Sequence, residues 1–184
     1  MLTPSLPLRA VPLAEYPFGL GVTDGAGFRA LREAAADDAA SVAGAYLEQA
    51  AAGVEPARRE FLLWSAHALA PNHLPVYFAL YKFLFHQKRL VDAERVALMA
   101  LGESARQGGF PVRWNELRHW TADWSDGPGR FYLFSLKALA FIRLRLHGLK
   151  AAGPLLEKLH ELDPQDQVGG SVITDLARAC SAAG

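Results

Sequence analysis

Cysteine occurs once, at Cys180, so no disulfide can close within the chain and no zinc site can be built on thiolates. A single thiol suits a reducing compartment, and a cytoplasmic location is the expectation. Charge of one sign is not in excess either: 19 Lys and Arg stand against 19 Asp and Glu. A general nucleic-acid binder carries a basic excess, so that class is disfavoured. No segment approaches 18 uncharged apolar residues, which argues against a membrane span. Residues 1–23 also lack the unbroken apolar run of a secretory signal, because Pro4, Pro7, Pro12, Pro17 and Arg9 interrupt it. Those prolines fix φ and remove donors, so this stretch reads as an extended arm.

The chemistry of catalysis and metal binding is equally sparse. No two histidines stand at i, i+4 and there is no HExxH. His119 and Asp123, and His160 and Asp163, are the near pairs, and each reads as a surface or helix-end hydrogen bond. The one Gly-rich loop, Gly19 to Gly27, has Asp24 where a dinucleotide fingerprint needs glycine, and no glycine is followed by Lys-Ser or Lys-Thr. Cys180 sits in an Ala-rich stretch as a small apolar filler. Ser171 follows Gly169-Gly170 without a nucleophile-elbow pattern. No catalytic residue, no metal and no cofactor are therefore expected.

Strand signals are missing too: no stretch shows period two, and Asp24-Gly25 and Asp126-Gly127 both lead into helices. The chain has 184 residues, 51% of them apolar, enough for one domain with a core. Nearly everything after residue 24 reads as helix, giving an all-α domain over 24–184 with about seven to nine helices. Asp24 caps a first helix through Phe28, Leu31 and Ala35. A second runs from about Asp38, with Val42, Ala45, Tyr46 and Gln49, to near Gly53. Pro56 opens a third with Phe61, Leu62, Ala66 and Leu69 on its stripe. Asn72 caps a fourth, with Pro75 in its first turn and Val76, Tyr77, Leu80, Phe83 and Leu84 inward. Leu90 to Ala105 makes a fifth, Pro128 to Gly148 another, and Leu155, Leu156, Leu159 and Leu162 mark the next. Residues 167–182 form a capping helix that covers the array end with Val172, Ile173 and Leu176.

Two parts of the chain match when shifted by 59 residues: Leu80 falls on Leu139, Ala93 on Ala152 and Tyr77 on Leu136. A large apolar residue precedes a small one by 13 in both, the spacing of a tight helical hairpin. A 34-residue helix–turn–helix period with about 25 inserted residues accounts for the shift, and the chain resembles tetratricopeptide repeat proteins. In the copy over 133–166 the resemblance rests on Leu136, Leu139, Ala140, Ala152, Leu156 and Leu162-Asp163-Pro164. It departs at Arg143, where the family has an aromatic, and at Pro154, which fits within a first turn. In the copy over 74–107 it rests on Tyr77, Leu80, Leu84, Asp92-Ala93 and Ala100, and departs at Tyr81, where a small residue is usual. A third, irregular copy ends at Ala66 and Ala70-Pro71. A second, whole-chain resemblance, with no motif of known chemistry behind it, is to short bacterial repeat proteins encoded beside nitrogen-fixation genes.

The resemblance implies antiparallel hairpins stacked as a short superhelical array, and a non-catalytic adaptor that binds a peptide or helix in a concave groove. Carried onto this chain, the groove positions are Phe78, Lys82, Phe85 and His86 in one copy, and Phe134, Lys137, Phe141 and Arg145 in the other; the phenylalanines read equally as core packing, the lysines less so. Aromatics alternating with cations suit an acidic or amphipathic protein partner. The asparagines that orient a terminal carboxylate in some members are missing. Charge is uneven in the same sense: residues 82–158 hold thirteen basic and seven acidic residues, whereas residues 1–81 hold five and eight.

The insert, about 108–130, is the second candidate surface. It holds three of the four tryptophans, Trp114, Trp120 and Trp124, interleaved with Arg113, Arg118, His119 and Arg130. A short helix capped by Asn115 is expected there. These tryptophans either plug the gap between repeats or form a binding surface. The alternative to an adaptor is a small enzyme or ligand binder with an enclosed pocket ringed by Arg113, His119 and Asp123. Self-association through the groove, filled by the arm or by a second copy, is a third reading.

Overall fold

The computed structural model describes residues 42–182. The arm over 1–23, the Gly-rich loop, the helix expected from Asp24 and the start of the next near Asp38 lie outside the described residues. Seven α-helices follow: α1 (Val42–Ala51), α2 (Pro56–Leu69), α3 (Leu74–His86), α4 (Leu90–Gly108), α5 (Gly127–His147), α6 (Leu149–Leu162) and α7 (Ser171–Ala182). There is no strand among the described residues. Each helix packs on the next in sequence, and α1 on α3, α3 on α5 and α5 on α7 also touch. That pattern defines a two-layer array: α1, α3, α5 and α7 form one layer, and α2, α4 and α6 the other. No described helix is long and apolar enough to cross a membrane.

The helix ends follow from local chemistry. Pro56 and Pro75 stand in first turns, where a missing N–H costs nothing. His73, not Asn72, is the N-cap of α3, and its side chain makes no cap bond. Gly109 closes α4 in the left-handed conformation, φ 68°. Asp126 caps α5 through its carboxylate and the Gly127 N–H, 2.7 Å. Pro154 lies beyond the first turn of α6, which begins at Leu149; its ring faces solvent, where the unmatched carbonyl one turn earlier can be hydrated.

The core is one cluster that runs through α3, α4, α5 and α6. Small residues on α4, Ala93, Ala97, Ala100 and Ser104, are fully buried and let α3 and α5 close on it from two sides. Arg143, at the family's aromatic position, reaches across to α4 and pairs with Glu94 (Nε to Oε1, 2.7 Å). Tyr81 is buried against Phe78, ring centroids 5.4 Å apart, so the large residue at a small-residue position is absorbed by aromatic packing. Two expected stripes are out of phase. On α2, Leu62, Leu63 and Ala66 are buried, whereas Phe61 is 66% exposed and Leu69 also faces solvent. On α7, Ile173 and Ala177 are buried and Leu176 half-buried, while Val172 is 52% exposed.

His67 stands between two rings, edge-on to Trp64 at 5.7 Å and to Tyr77 at 5.0 Å, and joins α2 to α3. Burial holds its imidazole below the ordinary histidine range. The unfolded chain therefore takes up the proton first. The stabilisation is full above about pH 6.5 and is lost as pH falls through the lowered folded-state value. Melting temperature should decline less between about pH 7.5 and 5 in His67→Leu than in the wild type, as differential scanning calorimetry will show. Gly129, in the first turn of α5, lies so close to the Asp123 carbonyl that a Cβ would meet its oxygen at 1.8 Å. Gly129→Ala should cost about 3 kcal/mol, the upper end for overpacking because the obstacle is backbone. The melting temperature should drop by roughly 6–12 °C.

Candidate functional site

The layer made by α1, α3, α5 and α7 presents one chemically distinctive face, built where α3 meets α5. On α3, Phe78, Lys82 and Phe85 follow at spacings of four and three, and His86 stands four beyond Lys82, hence on one side of the helix. Phe134, Lys137, Phe141 and Arg145 do the same on α5. Phe85 and Phe141 stack across the two helices with centroids 5.1 Å apart and join the two sets into one surface. Of the eight positions that the repeat resemblance marks, Phe85 and Phe141 are in contact between the two helices.

Cations crowd the aromatic rings. The Lys82 ammonium lies 5.3 Å from the Phe78 ring centre. Phe134 has the Lys137 ammonium at 5.5 Å and the Arg130 guanidinium at 5.7 Å. His86 meets Phe85 edge-on. Arg130 was expected in the insert; it begins α5 and joins this face through Phe134. The face offers positive charge over apolar rings.

Of the two readings left open for the phenylalanines, Phe78, Phe85, Phe134 and Phe141 are buried in the core. Lys137 is not a solvent-facing cation: it is 3% exposed and its Nζ donates to the Val168 carbonyl at 2.5 Å. A lysine alone in a sequence reads as surface, and an acceptor from the loop between α6 and α7 helps to make its burial tolerable. Lys82, His86 and Arg145 are half-buried.

The insert separates into a plug and a flap. Phe110, Trp124 and Tyr132 pack in a triangle with centroids 5.3–6.1 Å apart. The Trp124 Nε1 donates to the His119 carbonyl at 2.7 Å, and the Tyr132 hydroxyl to the Val112 carbonyl at 2.8 Å. Burial pushes the Tyr132 phenol far above its usual range. Trp114 is half-buried against the core, while Trp120 is 82% exposed. Instead of one helix capped by Asn115, two single 3₁₀ turns form, Trp114–Glu116 and His119–Thr121. Leu117 between them is buried, and its carbonyl accepts from Lys158 Nζ at 3.1 Å, which pins the insert to α6.

Of the three residues expected to ring a pocket, His119 and Asp123 share one depression and Arg113 does not line it. The depression, of about 300 Å³, lies beside His119, Asp123, Trp124, Asp163 and Gln167, and Arg113 pairs with Glu116 instead. The carboxylates there are engaged in loop structure. Asp123 accepts from the N–H and hydroxyl of Ser125, which holds it below the usual carboxylate range. Asp163 accepts the N–H groups of Gln167 and Val168, both at 2.9 Å. His119 Nδ1 lies 3.3 Å from the Leu162 carbonyl. No cluster of three or more His, Cys, Asp or Glu among the described residues could hold a metal ion.

The fold and face define the class: an all-α array of antiparallel hairpins with a cationic, aromatic surface on one layer. Comparison with known proteins supplies the family. The chain is 32% identical over 124 residues to an uncharacterized 19.8 kDa protein of the nifW 5′ region of Azotobacter chroococcum mcd 1. The match covers 65% of this chain and 70% of that protein, and this chain belongs to the same family. No family profile matches the chain, and no solved structure does.

The corrected position of Lys137 changes what charge reversal should do. Lys137→Glu would place a carboxylate against the Val168 carbonyl in a buried site, and should destabilise the protein by about 3 kcal/mol or more. Lys82→Glu should cost less than about 1 kcal/mol, because the ammonium is partly solvated. Urea denaturation of the two single variants will separate them.

Proposed function

We propose that this protein is a tetratricopeptide-like adaptor, without catalytic activity, that binds an acidic or amphipathic peptide or helix against the face of α3 and α5. The observation that carries the reading is the pairing of Lys82 with Phe78, and of Arg130 and Lys137 with Phe134, on helices joined by the Phe85–Phe141 contact. Cations over rings favour a ligand that brings carboxylates together with apolar side chains. The alternation of helices between two layers, with α1–α3, α3–α5 and α5–α7 contacts, supports the repeat assignment. The relative from the nifW 5′ region supports placing the work of this protein beside nitrogen fixation, in the cytoplasm, where its lone cysteine stays reduced.

The test uses full-length protein and two fluorescent synthetic helices of equal length and apolar content, one acidic and one basic. The acidic helix should bind more tightly. Lys82→Glu should weaken it by about tenfold, the worth of roughly 1.4 kcal/mol of repulsion at a partly desolvated site, with melting almost unchanged. Equal binding of both helices, or an unaltered affinity in Lys82→Glu, would refute the assignment of the face.

A further inference from the structure

We propose that Trp120 and the depression beside it form a second docking surface, which takes an arginine or lysine side chain from an extended basic segment of a partner protein. This surface shares none of the eight positions on α3 and α5 and is opposite to them in charge.

Trp120 is 82% exposed on a backbone that is held from both sides. Before it, the His119 carbonyl accepts from Trp124 Nε1 at 2.7 Å, and His119 Nδ1 lies 3.3 Å from the Leu162 carbonyl. After it, Thr121 closes a box with Arg118: its N–H donates to the Arg118 carbonyl at 2.9 Å, and its hydroxyl accepts the Arg118 N–H at 2.8 Å. Leu117 is buried, and Lys158 holds its carbonyl. A ring of this size on a loose loop can fold back onto apolar surface. On a fixed turn it stays in water until a partner covers it, and that partner recovers its apolar area at little cost in backbone entropy. Tryptophans presented in this way are typical interface anchors.

The cavity beside the turn selects the partner. His119 and Ala122, which flank Trp120 in the chain, line it together with the loop after α6. Its volume of about 300 Å³ is at the small end for a ligand site and suits one long side chain. Asp123 and Asp163 bring two carboxylates to it, and no Lys or Arg among the described residues lines it. Both bonds from Ser125 go to Asp123 Oδ1, so the loop leaves Oδ2 open to a donor. The nearest cations are engaged elsewhere: Lys158 pairs with Glu161 at 2.5 Å, and Arg118 donates to the Asn115 and Leu117 carbonyls. A guanidinium can therefore lie on the exposed indole and donate to a carboxylate at once. Gln165 and Gln167 add side-chain amides to the lining, which suit the unpaired backbone groups of an extended segment better than a helix. An acidic segment is repelled by the same two carboxylates.

The experiment is ¹⁹F NMR of full-length protein labelled with 5-fluorotryptophan at its four tryptophans, the Trp120 signal being assigned from Trp120→Phe. The probe is a short, capped peptide of alternating glycine and arginine, and the control carries glutamate in place of each arginine. The arginine peptide should shift the Trp120 signal saturably in the millimolar range, and the glutamate peptide should not. Asp123→Asn keeps the Oδ1 acceptor for Ser125 and removes the charge; it should weaken the arginine peptide about fivefold with the melting temperature unchanged. A Trp120 signal that the arginine peptide leaves unmoved, an equal shift with the glutamate peptide, or an unaltered affinity in Asp123→Asn would overturn the proposal. The comparison of the two peptides needs no variant, so it decides the matter even where Asp123→Asn fails to fold. Neither peptide is helical and neither result involves Lys82, so the adaptor reading of α3 and α5 stands or falls separately.

Discussion

The placement of α4 between α3 and α5 is the constraint on which the rest of the array depends. Its buried stripe is made of Ala93, Ala97, Ala100 and Ser104, and a stripe that small is the reason two large helices can pack on it at once. Larger side chains there would push α5 away and open the Phe85–Phe141 contact that makes the candidate face continuous. The Ser104 hydroxyl also donates to the Pro128 carbonyl in the first turn of α5, so the end of one hairpin is tied to the start of the next. Arg143 and Glu94 tie the same two helices by a partly buried ion pair.

The insert is tolerated because it is tied down by backbone acceptors and not by its own secondary structure. Carbonyls of Val112, Leu117 and His119 receive Tyr132, Lys158 and Trp124, so α5, α6 and the insert itself each contribute a donor. A loop of this length without regular helices would otherwise leave polar backbone groups near the core unmatched. Anchoring of this kind also explains why the tryptophans divide into two roles. Trp124 has an acceptor and a ring triangle beneath it, whereas Trp120 has neither and is exposed.

The all-α class, the hairpins on either side of the insert and the ends at Gly109 and Gly148 were legible in the sequence. They depend on local signals: periodic apolar residues, prolines in first turns and glycine stops. What was not legible depends on tertiary partners. The adjacent pair Phe61-Leu62 permits two helix phases one residue apart, and packing on α1 and α3 decides for Leu62. Val172 loses to Val168 and Ala177 for the same reason. The single helix expected at Asn115 gives way to two turns because Leu117 is drawn into the core between them. At the candidate face, the repeat resemblance marked the eight positions but left open whether the phenylalanines were groove or core. A phenylalanine at a groove position and one under a cover have the same letter.

Lys137 carries this last point into mechanism. Its ammonium is buried because the Val168 carbonyl receives it, and Val168 is itself held by the Asp163 carboxylate through its N–H. Asp163 ends α6, and Asp166, a few residues on, accepts the N–H of Ser171 at the start of α7 at 3.0 Å. A connected chain of hydrogen bonds therefore runs from the cationic face through the α6–α7 loop to the last helix. The charge that helps shape the face is also the charge that seats the end of the array. Moving the Lys137 ammonium would break the Val168 bond and loosen that loop. The face is accordingly asymmetric: Lys82 on α3 is half-buried at its edge, whereas Lys137 on α5 is held within its aromatic floor.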